Sequence, residues 1–155
     1  MLKGQKFWVL GDTYTIIIKG AERDRQYAVL GISSPPGSGP PLHTHTKESE
    51  GFYVIDGEFS FQYGDDKTVA KPGAFLHQKK GIPHTFKNIG NSTGRLLFTI
   101  IPAGFENFFA EVGILVEDEA TFSPPSMDTI EITNIVTIAQ EKYGLNLKVC
   151  PKDSR

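Results

Sequence analysis

Two of the four histidines of this chain stand one residue apart, at His43-Thr44-His45. In an extended strand residues i and i+2 project to the same side, so both imidazoles can reach one centre. Glu50 follows on what reads as the next strand, and His84 opens Pro83-His84-Thr85-Phe86, far off in sequence but placed where a neighbouring strand could bring it alongside. Three imidazoles and one carboxylate suit a single divalent transition-metal ion: iron, manganese, nickel, copper, cobalt or zinc. The expected ligands are His43, His45, Glu50 and His84. The remaining histidine, His77, lies in Phe75-Leu76-His77, where its parity would permit approach to the site. A surface position, or one just outside the ligand set, is the stronger expectation for it.

Glu50 also stands out by its surroundings. Asp56-Gly57 is a two-residue turn signal flanked by two apolar runs, which predicts a hairpin. In that register Ile55 pairs with Glu58, Val54 with Phe59, Phe52 with Phe61 and Glu50 with Tyr63, and paired residues share a face. The carboxylate then sits among Phe52, Val54, Phe59, Phe61 and Tyr63, while Glu58, Ser60 and Gln62 take the wetter face. A carboxylate on an apolar face is costly unless something neutralises it, and a metal ion would do so.

The elements that must position these residues read as short strands from residue 7 to about 102. They include Thr13–Lys19, Gln26–Ile32, Gly51–Asp56, Glu58–Tyr63, Lys67–Lys71 and Arg95–Ile101, rich in β-branched and aromatic residues and bounded by Gly, Pro, Asn and Asp. The spacing of the turns is that of an all-β sandwich or barrel. Beyond Pro102 the period changes. Gly104 to Gly113 predicts a short helix with Phe105, Phe108, Phe109 and Val112 on one side. That stripe is expected to pack on the barrel, or alternatively to form a hydrophobic lid at its mouth. A polar linker around Ser123-Pro124-Pro125-Ser126 leads to a second amphipathic helix, Ile132 to Tyr143, stopped by Gly144.

Composition narrows the function classes. With 155 residues the chain fits one domain, and a net charge of -2 leaves no basic footprint for nucleic acid. Lys67, Lys71, Lys79, Lys80 and Lys87 are scattered as solvated positions are. The single cysteine, Cys150, forms no internal disulfide and no Cys-based metal site. The apolar runs at Phe7–Leu10 and Leu96–Pro102 are too short for a signal-peptide core or a membrane span. Asn91-Ser92-Thr93 marks an exposed turn. A cytoplasmic protein with no membrane or nucleic-acid partner is the expectation.

The spacing of the ligand candidates carries a specific resemblance to the cupin superfamily, in particular to its small single-domain quercetin-dioxygenase-like members. The first motif of that family is met in full by Gly37, His43, His45, Glu50 and Gly57, with four residues between His45 and Glu50. The second is met by Gly73, Gly81, His84 and Asn88, with Lys79 in place of the usual proline. The two motifs span residues 37–88, and the flanking strands extend the likeness over about 26–102.

The resemblance implies an all-β cupin jelly-roll barrel with one or two short C-terminal helices, its core at about 26–102 and a helical extension over about 104–155. It implies a small-molecule substrate and a metal-dependent dioxygenase, with Glu50 as ligand and as proton acceptor from a substrate hydroxyl. Phe52, Phe59, Phe61, Tyr63 and Phe86 are the expected pocket wall, favouring a flat aromatic or enediol-like ligand. A non-catalytic binding module and a metal-dependent isomerase or lyase stay open, since one fold hosts many functions. A homodimer is expected too, because residues 1 to about 20 and the extension after residue 113 would stand outside the barrel and small cupins commonly pair subunits through such arms.

Overall fold

The computed structural model describes residues 4–147; Cys150 lies outside them. Its strands are β1 (Lys6–Val9), β2 (Asp12–Ile18), β3 (Ala28–Ser34), β4 (His43–His45), β5 (Ser49–Asp56), β6 (Phe59–Tyr63), β7 (Asp66–Ala70), β8 (Phe75–Gln78), β9 (His84–Asn88) and β10 (Gly94–Ile101). Helix α1 (Glu106–Val112), strand β11 (Ile114–Val116), helix α2 (Thr129–Tyr143) and strand β12 (Leu145–Leu147) follow. The strands form two antiparallel sheets, one in the order β11-β1-β2-β3-β10-β5-β8, the other β12-β4-β9-β6-β7. This is the expected all-β jelly-roll barrel with short C-terminal helices. None of the helices among the described residues is long and apolar enough to cross a membrane.

Side-chain alternation builds the core between the sheets. In β3 and β10 every second residue is buried, and the register sets Leu30 against Phe98, Ile32 against Leu96 and Ala28 against Ile100. Phe98 in turn faces Phe52 of β5, the rings stacked at 4.8 Å and 6°. Each of the leucine, isoleucine and phenylalanine side chains contributes about 1.5–3 kcal/mol on burial. The lysines at 67, 71, 79, 80 and 87 are exposed, as expected.

Two expectations need correction. The strands on either side of Asp56-Gly57 do not form a hairpin ladder. β5 pairs with β10 and β8 in the larger sheet, whereas β6 pairs with β7 and β9 in the smaller one. The turn therefore passes the chain from one sheet to the other. Phe52, Val54, Phe59 and Phe61 still point inward, because alternation depends on the strand's own period and not on its partner.

The terminal segments are not free arms either. β1 and β2 extend the seven-stranded sheet, β11 adds to β1, and β12 adds to β4 in the five-stranded sheet. Their edge positions satisfy backbone groups within this same chain. α2 also begins earlier than expected. Asp128 caps it in a reciprocal box, its carboxylate accepting from the Glu131 amide while the Glu131 side chain accepts from the Asp128 amide.

Candidate metal centre

The four candidate ligands converge inside the barrel. His43 and His45 lie two apart on β4 and point the same way, as the strand period dictates. His84 opens β9 directly opposite His43 in the ladder, with ring centroids 4.5 Å apart. Glu50 reaches them from β5 in the other sheet. The Oε1 atom of Glu50 lies 2.7 Å from His45 Nε2, and its Oε2 atom lies 2.8 Å from His84 Nε2. One ligand atom from each residue falls within 4.8 Å of the others, and all four side chains are buried. That span is comparable with the roughly 4 Å across an ion bonded at about 2.1 Å.

Each imidazole is oriented by an acceptor on its outer side. His43 Nδ1 lies 2.8 Å from the Pro41 carbonyl oxygen, and His84 Nδ1 lies 3.1 Å from that of Ile82. His45 Nδ1 is 2.7 Å from Glu48 Oε1. With protons on Nδ1, all three Nε2 atoms are free to face the centre. Nearby backbone bonds steady the arrangement. The Gly81 amide donates to the His45 carbonyl at 2.8 Å, and the Lys80 amide to Ser49 Oγ at 3.1 Å, tying the turn before β9 to the ligands on β4 and β5.

Electrostatics divides the imidazoles. Burial, reinforced by the neighbouring rings of His45 and His84, lowers His43 to about 3. For His45 burial acts in the same direction, but the Glu50 charge and the Glu48 hydrogen bond overcome it and raise the group to about 9. Burial disfavours the Glu50 carboxylate, yet His45 and His84 hold it well below the usual carboxylate range. The centre thus keeps an ionised carboxylate against a protonated His45.

The donor set fits a metal ion. Among the described residues, the buried side-chain polar atoms without a hydrogen-bond partner are His45 Nε2, Glu50 Oε1 and Gln78 Oε1. The first two face each other at short range with poor hydrogen-bond alignment, and both belong to the ligand set. An ion between them satisfies both. Gln78 stands opposite Glu50 in the β5–β8 ladder.

A cavity opens in front of the ligands. It is lined by His43, His45, Glu50, Phe52 and Phe86, by Phe98, and by Phe105, Phe108 and Phe109 of the α1 segment, with α2 and β12 closing over it. About 80 Å³ of it admits the centre of a water molecule. Of the five aromatics expected in the wall, Phe52 and Phe86 line this cavity. Phe59 and Phe61 are buried in the core beside it, and Tyr63, opposite His84 in the ladder, lines a separate surface depression between β6 and β8. His77 is exposed on the outer face, opposite Gly51. Asn88 is a clamp remote from the ligands: its Nδ2 donates to the carbonyls of Ser34 and Ser92 and its Oδ1 accepts from the Gly90 amide.

Sequence reasoning passed over Glu48, Asp12, Tyr14 and Phe98. Glu48 carried a weak signal in its spacing of three from His45; the others carried none beyond strand membership.

Comparison with known proteins agrees with this architecture. A family model for the cupin domain matches residues 32–100. Quercetin 2,3-dioxygenase of Bacillus subtilis is 23% identical over 111 residues, covering 72% of this chain but 33% of the enzyme, so the match spans about a third of that relative's length. An oxalate-binding protein of Thermotoga maritima is 29% identical over 86 residues, 56% of this chain and 71% of that one. Among solved structures, an RmlC-like cupin from Shewanella frigidimarina superposes with a TM-score of 0.58 at 18% identity, covering 68% of this chain and 88% of the other. The barrel, the motif residues gathered inside it and these matches together place the chain in the cupin superfamily.

Proposed function

We propose that this chain is a metal-dependent dioxygenase acting on a small aromatic or enediol-like organic substrate. The observation that carries the proposal is the position of a buried three-histidine, one-carboxylate set at one end of an aromatic-lined cavity. His43, His45, Glu50 and His84 would hold one redox-active divalent ion, which supplies Lewis acidity toward adjacent substrate oxygens and electron exchange with dioxygen. The protein's own contributions are separable. Phe52, Phe86, Phe98 and the α1 aromatics take the flat body of the ligand and exclude water. Glu50, ionised before substrate arrives, would take up the substrate's hydroxyl proton. Both atoms of dioxygen end in the product and the substrate is the reductant, so no further co-reactant is required. The distant likeness to quercetin dioxygenase supports this choice. A single domain over residues 1–155, working as a homodimer in the cytoplasm, belongs to the same proposal.

A second reading, a binding module without turnover, is favoured by the oxalate-binding relative. Oxalate could chelate the same ion through its adjacent oxygens, but it would leave the phenylalanine-lined remainder of the cavity without apolar contacts, which a larger flat ligand would supply. Metal analysis of untagged protein, followed by oxygen-uptake assays over flavonols and catechols, separates the two. Near-stoichiometric iron, manganese, nickel, cobalt or copper with oxygen consumption is the expected result. Tight binding without product would favour the binding module. A chain that stays metal-free after reconstitution would overturn the proposal.

A further inference from the structure

The cavity in front of the metal centre has polar lining residues besides the candidate ligands. Apart from His43, His45 and Glu50, its only polar lining residues are Asp12 and Tyr14 of β2. The two are not equivalent. The Asp12 carboxylate is already engaged: Oδ1 accepts from Ser34 Oγ at 2.7 Å, and the Ser38 hydroxyl also bonds to it. These bonds fasten the segment that follows β3. Tyr14 is only 7% exposed, and no residue among those described bonds its hydroxyl. Its ring is held in place by stacking on Phe109, centroids 4.0 Å apart and planes at 23°. Buried tyrosine hydroxyls ordinarily have a partner. The ring is fixed, and its hydroxyl opens on the cavity with no bond to a described residue, so a ligand there can supply its partner.

We propose that the Tyr14 hydroxyl recognises the far end of the ligand, donating a hydrogen bond to a neutral oxygen, such as a carbonyl, that the substrate carries away from its metal-chelating oxygens. The proposal rests on the dioxygenase reading only in taking the metal centre as the chelating pole. Two observations define the acceptor. Burial, and then the charges of Asp12 and Glu50, push the Tyr14 phenol well above its ordinary range, so the proton stays on the oxygen and the group acts as a donor. The Asp12 carboxylate beside it disfavours an anionic acceptor, which leaves a neutral one. The ligand is therefore a flat molecule with adjacent oxygens at one end and an uncharged acceptor at the other, its body against Phe52 and Phe98.

The test uses the full chain loaded with cobalt(II) under anaerobic conditions. The probes are the catechol isomers of dihydroxyacetophenone, which carry the carbonyl, and the matching ethylcatechols, which do not. Affinities are read by calorimetry for wild type and Tyr14→Phe, a change that keeps the ring on Phe109 and leaves the unfolding temperature as a check on folding. Loss of one neutral hydrogen bond corresponds to about a three- to tenfold weakening. That loss is expected for at least one acetyl isomer in Tyr14→Phe, with ethylcatechol affinities unchanged. The comparison across four combinations cancels the different acidities of the two catechol types. Equal changes for acetyl and ethyl probes, or none for either, would overturn the role of Tyr14 while leaving chelation intact. Failure of the wild type to bind any of the probes would instead overturn the chelation reading, and this inference with it.

Discussion

Glu48 shows how much of the centre depends on a residue outside its ligand set. It is buried, and its Oε1 lies 2.7 Å from His45 Nδ1, so it fixes which face of that imidazole turns inward. In the metal-free protein His45 is raised to about 9, burial opposing and the Glu50 charge and Glu48 bond prevailing. A raised value means that the proton is held until pH climbs through about 9, and an incoming ion must displace it. Metal affinity is therefore expected to increase with pH up to about 9, with about one proton released per ion at pH 8. Calorimetry in buffers of different ionisation enthalpy measures that count. Glu48→Gln keeps an oxygen toward Nδ1 but removes the charge, and the protons released at pH 8 should fall well below one. Glu48→Ala should weaken metal binding about 10–100-fold, although its His45 no longer holds a competing proton as tightly. Full proton release and full affinity in both variants would show that Glu48 neither orients nor charges His45. The gathering of His43, His45, Glu50 and His84 was legible from their spacing. Glu48 was not, because a glutamate between Lys47 and Ser49 reads as a solvated turn until β4 and β5 enclose it.

At the scale of elements, the corner at Asp56-Gly57 brings Glu50 and the histidines together, since it lets β5 serve one sheet and β6 the other. Gly57 has φ +89°, and a Cβ there would meet the Gly94 Cα at 2.9 Å. Gly57→Ala is therefore strained in both backbone and packing, and should cost more than about 1 kcal/mol in denaturant unfolding. An unchanged midpoint would mean the corner relaxes freely. The same residue explains why the hairpin expectation failed. Positive φ is a local demand that Asp-Gly meets, but it is shared by tight hairpins and by corners that switch sheets; the choice of partner is made by β8, β9 and β10, distant in sequence. The inward set of Phe52, Val54, Phe59 and Phe61 was nonetheless readable, because a period of two belongs to each strand alone. β8, β11 and β12, of three or four residues each, show too little alternation to be recognised. Their pairing is decided by the sheet edges they complete, which is why the terminal segments looked like free arms.

For the whole molecule, the consequence lies in where the ligands come from. His43, His45 and His84 stand on the five-stranded sheet and Glu50 on the seven-stranded one. A bound ion is thus a cross-tie between the layers of the barrel, close to where α1, α2 and β12 close the cavity. Ligand linkage then predicts stabilisation of about 2.7 kcal/mol when free ion is 100-fold above its dissociation constant. For a chain of this size that corresponds to roughly 5–10 °C in unfolding temperature. Because the tie needs both sheets, amide protection gained on metal addition should appear in β5 as well as in β4 and β9. Glu50→Gln keeps the shape of the side chain but gives up its charge, and with it the ion's charged hold on the larger sheet. In that variant the thermal shift should shrink, and the added protection should retreat to β4 and β9. If metal raised the unfolding temperature of wild type and Glu50→Gln equally, with protection confined to the five-stranded sheet in both, the ion would be held by the histidines alone. The carboxylate would then need another reason for its place in the apolar interior.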